Sequence, residues 1–124
     1  MNILLSKFLI SIKNTVLINK DILVVPFNKS FLPIIVILYN EGFILHYIKI
    51  KHNLVIKFRY FYDYSPLRGL KIISSVSKAI FFNHFELMKF FDKTKLMVLS
   101  TSNGIQTSCY CKKHKIGGEI LFIC

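Results

Sequence analysis

Apolar residues recur along the first half of the chain with two different periods. In "LLSKFLISIKN", Leu4 or Leu5, Phe8, Leu9 and Ile12 fall on one face at helical spacing, with Lys7, Ser11 and Asn14 outside. That spacing predicts an amphipathic helix. "DILVVPF" then reads as a short strand ending at Pro26. Asn28 or Ser30 can cap a second helix, which runs through "FLPIIVILYNE" to Gly42. Its β-branched content makes it a weak helix former in isolation. Two strands follow, "FILHYIKI" and "NLVIKFRYFY", separated by "KHN". In the second, Leu54, Ile56, Phe58 and Tyr60 share a face opposite Lys57 and Arg59.

"DYSPLRGL", with Pro66 and Gly69, interrupts the pattern and is the best boundary. Beyond it the apolar runs shorten into the strand-like pieces "LKIISSVS", "FFNHFELM" and "KLMVLS". The last of these breaks at "STSNG", a turn by composition, and "GGEILFIC" closes the chain as a strand. There is no internal repeat and no low-complexity segment. The pattern predicts an α+β fold of two small lobes: residues 1–64 ordered α-β-α-β-β, and residues 65–124 mainly β.

Charge changes this picture more than hydropathy does. The mean hydropathy of +0.50 is high, yet the longest uncharged stretch near the middle, Ser30 to Asn40, is closed by Lys29 and Glu41. A bilayer-crossing helix needs about 20 apolar residues, so a core helix is the better reading. Seventeen basic residues against six acidic ones give a net charge of +11. Such an excess points to a polyanionic partner, nucleic acid first and an anionic membrane surface second. The chain is rich in Ile, Phe, Lys, Leu, Tyr and Asn, while Arg59 and Arg68 are the only arginines and Ala79 the only alanine. This usage suggests pressure toward A·T-rich codons, as in many organelle genomes and some bacteria. Lysine then stands where arginine would otherwise grip phosphate, keeping the charge but losing the bidentate fork. No cleavable signal or Arg-rich transit pattern precedes the first amphipathic segment, so an organellar version is expected to be made in its organelle.

Cys109, Cys111 and Cys124 are an odd number, which argues against a closed disulfide framework and suits a reducing compartment. Cys109, Cys111 and His114 offer three zinc-ligand types, with Cys124 as a distant fourth, but C-x-C-x-x-H lacks a second well-spaced pair. A Cys-His nucleophile has no orienting acid nearby, and no phosphate-cradling glycine loop is present. His46, His52 and His84 are scattered on strand-like segments. No catalytic group, metal, cofactor or small-molecule substrate is expected.

The span from "LMVLSTSNGIQT" to "KIGGEILFIC" resembles the C-terminal signature of bacterial-type small-subunit ribosomal protein S8. That family reads as a strand, Ser-Thr-Ser-x-Gly-x-x-Thr, a short basic helix, Gly-Gly-Glu and a final strand. Ser100, Thr101, Ser102, Gly104, Thr107, Gly117, Gly118 and Glu119 match it in register. "LLSKFLISIKN", "VVPFNKS", "YNEGFI" and "ISSVSK" are similar to the family's first helix, strand-to-helix corner, second-helix end and lobe entry. The chain departs from the family pattern at Ala79-Ile80, at "FFDKTK" and at "SCYC", so residues 79–95 form the weakest stretch. The resemblance adds one short helix to the second lobe. It implies a structural role without catalysis, binding the central domain of small-subunit ribosomal RNA early in assembly, beside neighbouring small-subunit ribosomal proteins. The drift in the middle favours a mitochondrial ribosome over a plastid or bacterial cytoplasmic one.

The residues suit that partner. A-form RNA presents a wide, shallow minor groove lined with 2′-hydroxyls. Ser100, Thr101 and Ser102 offer small groups that both donate and accept, Asn103 can add a base-edge or sugar contact, and Gly104 lets the backbone approach. Glu119 either accepts from a base or 2′-OH or orients the hydroxyl loop. Gly117 and Gly118 are expected to permit a positive φ and a tight entry into the last strand. Lys7, Lys13 and Asn14 on the polar side of the first helix, Ser77 and Lys78 at the family's Ser-Lys, and Lys112, Lys113 and Lys115 are further candidate contacts. "FRYFY" could expose one ring to an RNA base. Two rival readings remain: a basic RNA-binding protein without site preference, and a peripheral membrane protein.

Overall fold

A computed structural model of the chain describes residues 2–62, 64–90 and 95–124. It divides into two compact units, one of residues 4–69 and one of residues 70–124 with the N-terminal tip ending at Ile3. Both mix helices with antiparallel sheet, so the fold class is α+β.

In the first unit, α1 (Ile3–Leu17) buries Phe8, Leu9, Ile12, Thr15 and Val16 on one side, as its spacing predicts. Strand β1 (Ile22–Pro26) leads to a 3-10 turn at Lys29–Phe31, capped by Asn28, whose Oδ1 accepts the Ser30 N–H at 2.9 Å. The Phe31 ring stacks on Phe8 with centroids 4.2 Å apart. Helix α2 (Leu32–Asn40) has Pro33 in its first turn, where a missing N–H costs nothing, and buries Ile34, Ile35 and Leu38. Strands β2 (Ile44–Ile50) and β3 (Asn53–Phe58) form a hairpin, and β3 is central in the sheet order β1-β3-β2. Leu54, Ile56 and Phe58 line its buried side.

Strand β3 is shorter than its alternation suggests. Its neighbours run out at Lys57↔Ile22 and Phe58↔Ile44, and beyond Phe58 the ladder ends with the Arg59 N–H donating to the Phe43 carbonyl at 3.2 Å. Tyr60 instead donates its hydroxyl to the Lys20 carbonyl at 2.6 Å. Phe61 and Tyr64 exchange both backbone hydrogen bonds, leaving Tyr62 fully exposed at φ 49.

In the second unit a sheet runs β4 (Lys71–Ile72), β8 (Gly118–Ile123), β6 (Met97–Thr101) and β7 (Gly104–Thr107), with β5 (Phe81–Phe82) also on β8. Only Lys71 and Ile72 of "LKIISSVS" pair as a strand. The rest forms a loop closed at its neck by Ser74, whose buried hydroxyl accepts the Ile80 N–H at 3.0 Å. "FFNHFELM" is likewise not one strand. After Phe82 it turns into α3 (His84–Phe90), started by Asn83, whose Oδ1 accepts the Glu86 N–H at 2.8 Å. With α4 (Ser108–His114) this unit therefore holds two helices where the sequence reading expects one. Leu87 of α3 and Cys111 of α4 pack with Met97, Leu99 and Ile120 as its core. Of the departure expected at "FFDKTK", residues 90–95, all but Phe90 and Lys95 lies outside the described residues. No helix among the described residues is long and apolar enough to cross a membrane.

Candidate RNA interface

"STSNG" forms the tip of the β6–β7 hairpin. Thr101 pairs with Gly104, so Ser102 and Asn103 alone make the turn. Two devices fix it. Gly104 adopts φ 89, a conformation that side chains disfavour. Thr101 Oγ1 donates to the Gly104 carbonyl at 2.8 Å and accepts the Asn103 N–H at 3.2 Å. Gln106 adds a third tie, its Nε2 donating to the Asn103 carbonyl at 3.2 Å. The Thr101 hydroxyl is thus occupied in holding the tip. The groups presented outward are those of Ser102 and Asn103, with the bare Gly104 backbone beside them, and all three residues are exposed. Ser100 sits half-buried one residue into the strand.

The paired glycines explain how β8 enters this sheet. Neither has a positive φ, contrary to the sequence expectation. The constraint is close approach of other backbone. A Cβ on Gly118 would land on the Ser100 carbonyl oxygen, 3.0 Å from its carbon, and one on Gly117 would land on the Phe82 carbonyl oxygen and 2.7 Å from Asn83 Cα. The next residue, Glu119, pairs with Ser100 on one side and Phe81 on the other. Pairing thus places the Glu119 and Ser100 side chains on the same face of the sheet. Among the candidates, Ser100, Gly118 and Glu119 are therefore brought together directly behind the hairpin tip.

Ser77 and Lys78 are exposed on the loop that feeds β5, within a tight turn in which Ser75 N–H donates to the Lys78 carbonyl at 2.8 Å. Ser75 also accepts the Lys78 N–H on its hydroxyl at 3.1 Å. Ser74 and Ser75 are the builders of this loop, and sequence reasoning did not single them out. Their signal was a hydroxyl cluster inside a run too polar to continue as a strand. Thr107 has a structural task, its hydroxyl accepting the Tyr110 N–H at 3.3 Å as the N-cap of α4. The last turn of α4 carries Lys112, Lys113 and His114, where cations favour the carbonyl end of the helix, and Lys115 caps it at φ 55.

The α1 candidates belong to the other unit. Lys7 and Asn14, seven residues apart, fall on one stripe with Ser11, while Lys13 lies roughly a third of a turn away. The structure does not gather the three onto one line. Lys7 and Ser11 instead border a groove of about 240 Å³ whose opposite wall includes Val25, Pro26, Phe27 and Asn28. Asn28, noted in the sequence only as a cap, thus lies beside a candidate contact. Nine of the seventeen basic residues lie in residues 4–69 and eight in 70–124, so neither unit alone carries the preference for a polyanion.

The cysteines are separated by geometry. Cys109 is exposed and Cys111 fully buried, because residues two apart on a helix point to nearly opposite sides. Burial pushes the Cys111 thiol pKa up. No group of three or more His, Cys, Asp or Glu that could hold a metal occurs among the described residues.

Comparison with known proteins adds lineage to this geometry. Residues 4–124 match the family model described as ribosomal protein S8. The chain is 32% identical over 113 residues to the small ribosomal subunit protein uS8 of Buchnera aphidicola, covering 89% of this chain and 87% of that one. It is 31% identical over 118 residues to uS8c of Phaseolus vulgaris, with 89% and 88% covered. It is also 32% identical over 97 residues to uS8m of Acanthamoeba castellanii, with 76% of each chain covered.

Proposed function

The chain belongs to the ribosomal protein S8 family, and from that premise we propose that it binds and braces small-subunit ribosomal RNA as a structural constituent of the small subunit. Its contribution is a shaped surface, not a reaction. The carrying observation is the tip at Ser102 and Asn103, closed from within by Thr101 and backed by Ser100, Gly118 and Glu119. A small, pre-set hydroxyl and amide tip fits a shallow groove of 2′-hydroxyls and loses little conformational freedom on binding. Lysines on both units supply the sequence-independent attraction to phosphate.

We place the binding site on the central domain of that RNA, with Ser77, Lys78, Lys7, Lys13 and Asn14 as outer contacts. We assign the protein to a mitochondrial ribosome. The divergent stretch 79–95 supports that assignment, whereas Lys-rich, Arg-poor usage fits a plastid or A·T-rich bacterial ribosome equally, and its relatives include bacterial, plastid and mitochondrial proteins alike.

The test is binding at fixed physiological salt to a central-domain fragment of its own small-subunit RNA, against an unrelated hairpin of equal length. Each lost hydrogen bond is worth about 0.5–1.5 kcal/mol net. Ser102→Ala with Asn103→Ala should therefore weaken the fragment complex roughly tenfold or more and leave hairpin binding unchanged. Equal affinity for both RNAs, unaltered in the double variant, would reduce the protein to a basic RNA binder without site preference.

A further inference from the structure

Strands β4 and β5 are two halves of one interrupted strand. Both lie along the edge of β8 that faces away from β6, and both run antiparallel to it. Lys71 and Ile72 pair with Ile123 and Phe122, and Phe81 and Phe82 pair with Glu119 and Gly118. Two backbone bonds carry the edge across the interval. Ile73 N–H donates to the Leu121 carbonyl at 3.1 Å, and Ile120 N–H donates to the Ile80 carbonyl at 2.9 Å. Thus β8 is paired along its whole edge, while its partner leaves that edge at Ser74 and returns at Ile80. Residues 75–79 form the excursion, and every one of them is exposed, so the core of the unit gains nothing from it.

Two serines clasp this excursion, one inside the other. Ser74 is the outer clasp: fully buried, its hydroxyl accepts the Ile80 N–H at 3.0 Å and lies 3.4 Å from the Ile80 carbonyl oxygen. Ser75 is the inner one, its N–H donating to the Lys78 carbonyl at 2.8 Å and its hydroxyl accepting the Lys78 N–H at 3.1 Å. Val76 and Ser77 are left at the tip. Ordering exposed backbone costs conformational entropy that no burial offsets here, so the clasps alone give the loop a fixed shape. Its position is also set. The chain rejoins β8 one residue from Glu119, in the row Phe81–Glu119–Ser100 that lies behind the hairpin tip. Topology therefore sets Ser77 and Lys78 beside the contacts the sheet already gathers.

We propose that Ser74 and Ser75 are positioning residues for RNA binding, holding Lys78 where it meets a phosphate beside the Ser100–Glu119 row. The inference rests on the reading above that the Ser77–Lys78 loop is an RNA contact. Clasps that served the fold alone would respond differently to salt. Neither serine is charged, so removing one changes the salt dependence of binding only by acting through Lys78.

The experiment measures affinity of the full-length chain for the central-domain fragment of its own small-subunit RNA across a range of salt. Lys78→Gln should make the slope of log affinity against log salt shallower by roughly 0.7–0.9 of a unit. Ser74→Ala should make it shallower by about half of that or more, although no charge is lost, and weaken binding roughly threefold or more. Lys78→Gln added to Ser74→Ala should then change the slope little further, since the two act on one contact. Ser75→Ala, at an exposed position outside the core, should shift the slope in the same direction. A parental slope in both serine variants, with the Lys78→Gln effect undiminished beside them, would overturn the positioning role and leave the loop as an RNA contact. A parental slope in Lys78→Gln itself would overturn the underlying reading and the role with it. Amide exchange in the free protein is the second measurement. Ser74→Ala should speed exchange at Ile80 and Lys78 roughly tenfold or more, while Ile73 and Ile120, bonded to or within β8, keep the parent's rates. Unchanged rates at Ile80 and Lys78, or a rise shared equally by Ile73 and Ile120, would also refute the proposal.

Discussion

The two units hold their candidate RNA contacts in opposite ways. In residues 70–124 the contact groups sit on a two-residue turn whose shape is set by a hydroxyl, a left-handed glycine and a third side-chain tie. Behind it, β8 passes so close to Ser100 and Phe82 that two successive positions have no room for a Cβ. In residues 4–69 the candidate contact groups are two lysines and an asparagine on a helix, spread over more than one stripe, with Lys13 half-buried. In the function proposed above, the first arrangement would select by fit and the second would attract by charge. A site that selects by fit must spend sequence on backbone geometry, which is why its motif is long and strict. A charged helix face needs only a sufficient number of cations.

The comparison breaks most sharply at the glycines. Gly118→Ala forces a methyl onto the Ser100 carbonyl, where the obstacle is backbone in a paired strand and not the end of a flexible side chain. Overpacking of this kind costs about 1–3 kcal/mol, and here it also displaces the strand behind the hairpin tip. Urea unfolding should show the midpoint falling accordingly, with RNA affinity falling further than stability alone explains. The control is Gly69→Ala, where a Cβ would meet nothing within 4 Å and φ is not positive. That change should be neutral or stabilise by about 0.4–1 kcal/mol, through the unfolded state. Equal loss at both positions would mean that close approach is not what holds Gly118.

The two units also differ in how well their sequences could be read. In residues 4–69 the periods of 3.6 and 2 lie on strands and helices with one buried side each, so order and type of element follow directly from the pattern. What the pattern could not show is that the sheet's other side, at Val24, Val55 and Ile48, is apolar as well, because alternation identifies a face without saying what the opposite one carries. In residues 70–124 the hairpin tip is legible from Gly104 and its hydroxyls, whereas the paired glycines suggest a positive φ at the entry to the last strand when the cause is backbone distant in sequence. Helix α3 was missed for a physical reason. Phe85, Met88 and Phe90 are exposed and only Leu87 is buried, so no inward apolar stripe marks a helix. The available signal was local: "NHFE" carries Asn and Glu at capping spacing. Asn83→Ala removes the acceptor for the Glu86 N–H and should cost about 1 kcal/mol, read as a lower thermal midpoint. A midpoint unchanged from the parent would show that α3 is held by Leu87 packing alone.

The smallest effect belongs to the charged helix face, and it separates the two modes of contact most cleanly. A lysine paired with phosphate acts by releasing a counterion, so its removal changes how binding responds to salt more than it changes which RNA is chosen. Lys13→Gln shortens the side chain by one atom and keeps its helix propensity while removing one positive charge of seventeen. The slope of log affinity against log salt should become shallower by roughly 0.7–0.9 of a unit, and the preference for the central-domain fragment over the unrelated hairpin should stay constant. Ser102→Ala should do the reverse, reducing preference at an unchanged slope, since no charge is lost. If Lys13→Gln instead abolished the preference, α1 would be reading RNA shape and the division between a fitted unit and an attracting one would fail. If it altered neither quantity, Lys13, which is half-buried and off the Lys7–Asn14 stripe, faces no phosphate in the complex, and the share of α1 in the electrostatic footprint narrows to Lys7.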